Sequence, residues 1–189
     1  IGAACAHEFH RRGAKVVLSS RNRERLDQVA KKAGNNRTLV QPLDVTKKES
    51  CCDTVNVIKE KMGRIDTVFF YAGNWEAMNL ADFNADGFRS TMEVNFMGMV
   101  NCLEAILPLI RESERPHIVG MSSSVAYRGI PQAEAYCASK AAIRAMLQGL
   151  RCQLKTFNVP VSIILPGFVK SPLTDKNEFS MPFLMEPDD

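Results

Sequence analysis

Between residues 15 and 165, five short and continuously apolar runs (15–19, 37–42, 65–71, 117–121 and 159–165) are separated by longer segments whose apolar residues recur at helical spacing. Runs of that length and uniformity suit strands buried on both faces, as parallel strands covered by helices are. Right-handed crossovers between successive strands then give an α/β fold: a doubly wound parallel sheet with helices on both faces, Rossmann-like.

The intervening segments carry recognisable boundaries. Residues 2–12 read as a helix with Arg11 and Arg12 in its last turn and Gly13 as its C-terminal stop. Residues 22–33 present Leu26, Val29, Ala30 and Ala33 to one side and end at Gly34. Thr46 followed by Glu49 has the spacing of a capping box, opening a helix with Val55, Ile58 and Met62 on one face and Gly63 after it. Residues 86–111 place Phe88, Met92, Phe96, Met99, Leu103, Ile106 and Ile110 on a single stripe, and Pro108 should bend or fray the last turn. Residues 134–156 form another long helix. Ligands of such sheets bind beyond the carboxyl ends of the strands. That singles out segments 19–22, 43–46, 71–75, 121–130 and 166–185.

The chain of 189 residues is long enough for one domain with a full core, here taken as 1–189. Its net charge of +3 is spread without a basic block, so no nucleic-acid partner is implied. No apolar run approaches the roughly 20 residues of a membrane span. The six cysteines form no C-x-x-C pair, and the vicinal Cys51 and Cys52 would make a poor disulfide. Reduced thiols in a soluble, cytoplasmic protein are expected. His7, His10 and His117 are scattered, so no metal site is expected. The chain opens on Ile1 inside a helix and closes on residues 186–189, which read as the start of another. Truncation at both ends is therefore expected.

Chemistry concentrates in Tyr136-Cys137-Ala138-Ser139-Lys140. Positions i and i+4 of a helix share a face, so phenol and ammonium project together. A tyrosine with an ordinary pKa of about 10 is a poor proton carrier at neutral pH. A neighbouring cation favours the phenolate and is expected to lower it, making Tyr136 a usable general acid or base. Ser122, Ser123 and Ser124 follow the strand at 117–121, where a hydroxyl can hold a substrate carbonyl.

With these residues in that order, the chain resembles the short-chain dehydrogenase/reductase family, in its classical branch, over nearly its whole length. Tyr136 and Lys140 match the family's Tyr-x-x-x-Lys, and the family's serine, 13 residues earlier, selects Ser123. Asn95 matches the asparagine of the preceding long helix. Pro166, Gly167, Val169 and Ser171 match the segment beside the nicotinamide. Ile1-Gly2 is similar to the end of the family's Gly-rich phosphate loop, which implies that the first strand and C-terminal elements are missing from this chain. Asp44-Val45 is similar to the pair along the adenine, and Ala72-Gly73 to the end of Asn-Asn-Ala-Gly. Phe70 and Tyr71 depart from that motif by replacing both asparagines.

The end of the second strand of such folds selects the cofactor: an acid there binds the ribose 2′-OH of NAD. Here Ser19, Ser20 and Arg21 occupy it, and no carboxylate comes before Glu24. An arginine suits a 2′-phosphate, with Arg23 as an additional cation, so NADP(H) is expected.

The resemblance implies reversible reduction of a small-molecule carbonyl, an aldehyde or ketone, to an alcohol. Ser123 would orient the oxygen, Tyr136 donate the proton, Lys140 lower the tyrosine pKa and hold the nicotinamide ribose, and Asn95 fix a water. A catalytically silent dinucleotide-binding sensor or scaffold of the same fold is the alternative. The apolar stretch 179–185 would be a mobile substrate lid, and Trp75 either lines the pocket or packs in its loop. Extra apolar residues on the two long helices, Val94, Met97 and Leu107 on one and Met146, Leu150 and Leu154 beyond four alanines on the other, imply a homodimer or homotetramer through 86–111 and 134–156.

Overall fold

The computed structural model describes residues 1–177 and 180–188, with residues 35 and 176 described by their backbone alone. Phe179, at the head of the expected lid, lies outside the described residues. The elements follow the expected alternation: α1 (Gly2–Arg11), β1 (Val16–Leu18), α2 (Arg23–Ala33), β2 (Thr38–Val40), α3 (Lys48–Met62), β3 (Thr67–Phe70), α4 (Ala85–Met92), α5 (Gly98–Ile110), β4 (His117–Met121), α6 (Glu134–Leu154) and β5 (Val161–Ile164). A π-helical turn, Glu93–Met97, joins α4 to α5 without a break. All strand pairs are parallel. β1 pairs with β2, and β4 lies between β3 and β5. The architecture is therefore the expected Rossmann-like one, parallel sheets flanked by helices.

The two sheets share no ladder, and each has its own core. The larger gathers Cys51, Val55, Phe70, Leu103, Ile106, Ile110, Ile118, Ile143, Leu147 and Val161 from α3 to β5. The smaller consists of Ala6, Leu18, Leu26 and Ala30. Helix α1 packs on β1 and α2, and its Phe9 ring also meets Phe69 of β3.

Several local expectations are revised. Lys47, not Thr46, occupies the N-cap of α3, and no side chain caps it. The Thr46 hydroxyl instead donates to Asp44 Oδ1 at 2.7 Å, a nearer acceptor supplied by the preceding loop. Pro108 leaves α5 helical as far as Ile110, but the closing Arg111 N–H reaches Leu107 O only at 3.4 Å, a loosened last turn. Leu154, expected on an outer face, is a core residue, and Leu107, Met146 and Leu150 pack against the same core. Met97, Ala138 and Ala145 remain exposed. The helical stretch Ala85–Ile110 has 26 residues and is long and apolar enough, by length and composition only, to cross a membrane, contrary to the sequence count. Its second half is nevertheless buried through Met99, Cys102, Leu103, Ile106, Leu109 and Ile110.

Candidate active site

Four of the expected residues converge beyond the carboxyl ends of β3 and β4. Asn95 is 1 % exposed, Lys140 4 % and Ser123 9 %, so three polar side chains are held out of water here. Burial on that scale demands partners. Asn95 finds them across the π turn: its Oδ1 accepts from Asn74 N–H at 2.7 Å, and its Nδ2 donates to Asn74 O at 2.9 Å and to Ser139 Oγ at 3.0 Å. The Ser139 hydroxyl in turn donates to Tyr136 O at 2.7 Å. A π turn inserts one residue into the helical register and so re-aims a side chain, here toward the strand end.

Lys140 is fixed from two sides. Its Nζ donates to Met121 O at 3.1 Å, and its own backbone carbonyl accepts from Ser122 Oγ at 2.9 Å. Desolvation lowers its pKa to about 8. The ammonium lies 5.5 Å from the centre of the Tyr136 ring. The expectation that this cation would lower the Tyr136 pKa is not met: burial pushes the phenol up, and the Ser123 hydroxyl, which pulls it down, is the weaker influence. The reason is geometric, because the ammonium is turned to Met121 O and sits against the ring.

Ser123 has extended backbone at the exit of β4 (φ −163°, ψ 159°), and its hydroxyl accepts from Val125 N–H at 3.4 Å. Ser124 N–H bonds Pro166 O at 3.0 Å, which brings the 166–171 segment alongside. Val169 forms a parallel bridge with Met185, through Lys170 N–H to Met185 O and Met185 N–H to Phe168 O. Ser171 is engaged with Thr174, whose hydroxyl also donates to Val169 O at 2.9 Å. Gly167 is exposed. Phe183 is 95 % exposed, so the described part of the expected lid is anchored at Met185 and presents an uncovered ring. Ala72 and Gly73 are also exposed. A Cβ on Gly73 would lie 3.4 Å from Asn95 Oδ1 and 3.6 Å from Lys140 Nζ, in the space between the two.

Leu43 N–H bonds Ser20 O, holding segment 19–22 beside 43–46. Arg21 is exposed, with no salt bridge among the described residues, whereas Arg23 faces Asp27 at 3.7 Å. Asp44 is held below its ordinary pKa by the Thr46 hydroxyl and N–H, with Lys47 and Arg21 adding to this. Val45 O accepts from Asn101 Nδ2 at 2.9 Å, and Val45 packs so closely on Gly98 that a Cβ there would sit 2.6 Å from its Cγ2. Gly2 opens α1, whose first turn has no side-chain cap and no acid. Free N–H groups without a competing carboxylate suit a pyrophosphate. Among the described residues no cluster of three or more His, Cys, Asp or Glu could hold a metal.

Two supporting residues escaped the sequence, Asn74 and Ser139, and Ser122, named there only as one of three candidate hydroxyls, proves to hold the Lys140 backbone. Ser139 lies inside the Tyr136–Lys140 motif and Asn74 follows Gly73, but nothing local shows that Asn95 joins them across 21 and 44 residues.

Parallel sheets flanked by helices define an α/β fold of the Rossmann-like class. The short chain dehydrogenase model matches residues 1–180, and the chain belongs to the short-chain dehydrogenase/reductase family, whose members typically use a nicotinamide dinucleotide. It is 35% identical to an uncharacterized oxidoreductase of Myxococcus xanthus, over 100% of this chain and 76% of that protein. It is 33% identical to an uncharacterized oxidoreductase of Staphylococcus aureus, over 92% and 75%. A short-chain dehydrogenase from Streptomyces avermitilis superposes with a TM-score of 0.84 at 27% identity, covering 91% of this chain and 63% of that one. The chain thus spans about three quarters of these curated relatives and less than two thirds of the solved chain.

Proposed function

We infer that the protein reduces a small-molecule aldehyde or ketone to an alcohol, or runs the reverse reaction, with NADP(H). The reading rests above all on one arrangement: the Tyr136 phenol with the Ser123 hydroxyl facing it and the buried Lys140 ammonium against its ring. The bound cofactor would supply or accept the hydride. Ser123 would hold the carbonyl oxygen. Tyr136 would give its proton to that oxygen as the carbon is reduced, becoming a phenolate. Lys140, near pKa 8, would stabilise that phenolate once turned from Met121 O and would hold the nicotinamide ribose. Asn95 has both Nδ2 hydrogens committed, so a water passing a proton to Lys140 would use the remaining lone pair of Oδ1.

NADP(H) over NAD(H) is favoured by the exposed Arg21, which has no salt bridge among the described residues, and by the absence of any acid in segment 19–22. Gly2, Ser20, Asp44, Val45, Ala72, Gly73 and the 166–171 segment would complete the cofactor groove. Oxidation of NADPH, followed at 340 nm with a panel of aldehydes and ketones, tests the activity. Dinucleotide binding without turnover on any of them would favour the silent sensor or scaffold.

The exposed Met97, Ala138 and Ala145 support association as a homodimer or homotetramer through 86–111 and 134–156. Light scattering at micromolar concentration tests it, and a monomer would sink it. Six free cysteines support a reducing, cytoplasmic location, which cell fractionation tests.

A further inference from the structure

Residues 2, 5 and 9 of α1 fall on one stripe at i, i+3, i+7 spacing, and all three rest on aromatic side chains at the end of β3. The Phe9 ring is 5.1 Å from that of Phe69, tilted by 50°. Phe69 and Tyr71, two residues apart on the same face, stack with centroids 5.7 Å apart and planes within 2°. A Cβ on Gly2 would lie 3.3 Å from Tyr71 Cδ2, so the tyrosine ring fills the space directly beneath the first helical residue. Cys5, one turn further on, neighbours the Tyr71 hydroxyl.

Tyr71 is one of the two positions at which the chain departs from the asparagine pair it otherwise resembles. An asparagine side chain ends too close to the strand to reach both Gly2 and Cys5. The third glycine of a dinucleotide loop lets helix and strand approach closely. Here that approach is completed by an aromatic ring seated against Gly2.

We propose that Tyr71 is a positioning residue for the dinucleotide: its ring sets the height of the α1 N-terminus above β3, and thereby where the free N–H groups of the first turn meet the pyrophosphate. The proposal rests on the dinucleotide reading given above. It requires Tyr71 to govern affinity for a ligand with a pyrophosphate and to leave untouched a ligand confined to the Arg21 end of the groove. Adenosine 2′-monophosphate is such a ligand, because it carries the adenine, its ribose and the 2′-phosphate but no pyrophosphate.

Calorimetric titration of NADPH and of adenosine 2′-monophosphate into the wild-type protein, Tyr71→Asn and Tyr71→Phe tests this. Tyr71→Asn should bind NADPH about tenfold more weakly, as a preorganised contact is lost, while its affinity for the nucleotide stays within about twofold. Tyr71→Phe keeps the ring and should bind both like the wild type. Should Tyr71→Asn not fold, Tyr71→Leu keeps the apolar bulk without the flat ring and is expected to show the same selective loss. Unchanged NADPH affinity in Asn or Leu, equal weakening of both ligands, or a Phe variant as impaired as Asn would each overturn the proposal. A wild-type protein that binds neither ligand would overturn the dinucleotide reading, and the role of Tyr71 with it.

Discussion

Asn95 and Asn74 clasp one another: the side chain of the first takes up both the N–H and the C=O of the second, at 2.7 and 2.9 Å. Removing the clasp strands the N–H and C=O of Asn74 and takes from Ser139 Oγ its donor, leaving its bond to Tyr136 O. Asn95→Ala should therefore cost about 1–3 kcal/mol of stability, the penalty for leaving buried polar groups unpaired. Urea unfolding measures it. A variant as stable as the wild type would mean that water replaces the amide without loss.

Tyr136→Phe keeps the ring against Lys140 and removes the only proton at that position. Turnover should fall by at least about 100-fold, the lower range for a general acid, with NADPH affinity nearly intact. Steady-state rates and cofactor titration on the same preparation separate the two effects. Wild-type turnover in the Phe variant would exclude Tyr136 as the acid.

Lys140 ties stability to pH in an unusual direction. Its pKa falls from the ordinary 10.5 to about 8 on folding, because burial penalises the ammonium. Below pH 8 the group is protonated in both states, and the full penalty is present. From pH 8 to 10.5 the unfolded chain binds the extra proton, so this contribution rises with pH. Lys140→Met should lack that rise. Urea midpoints of both proteins at pH 7.5 and 9.5 provide the check, and parallel changes in the two would contradict the lowered pKa.

Arg21→Ala should weaken NADPH far more than NADH, by roughly 1.5–3 kcal/mol, the range for a hydrogen bond to a charged group. Equal losses for the two cofactors would show that Arg21 does not read the 2′-phosphate.

The sequence revealed what depends on local period and spacing. The strand at 117–121 has the predicted bounds, and the helix stops at Gly13, Gly34 and Gly63 stand where a positive φ is needed. The relation of Tyr136 to Lys140 follows from one helical turn. What it did not reveal depends on partners far along the chain. Thr46 had the spacing of a cap, yet a loop carboxylate competed for its hydroxyl. Lys140 was expected to lower the Tyr136 pKa, but a carbonyl 19 residues earlier holds its ammonium. Cys51 and Cys102, 51 residues apart, bring their sulfurs to 3.6 Å through the packing of α3 on α5. The π turn has no compositional signature of its own.

The two cores carry different groups of the expected site. Arg21 and Ser20 stand at the end of β1, over the core of Ala6, Leu18, Leu26 and Ala30. Asn95, Ser123, Tyr136 and Lys140 are all carried by elements of the larger core. On the proposed function, substitutions at Arg21 that change the choice of nucleotide would lie over the smaller core, and the proposed proton-transfer residues over the larger. The choice of electron carrier and the choice of substrate would then be open to separate selection, with α1, which touches β1, α2 and Phe69 of β3, as the part that neither change is free to disturb.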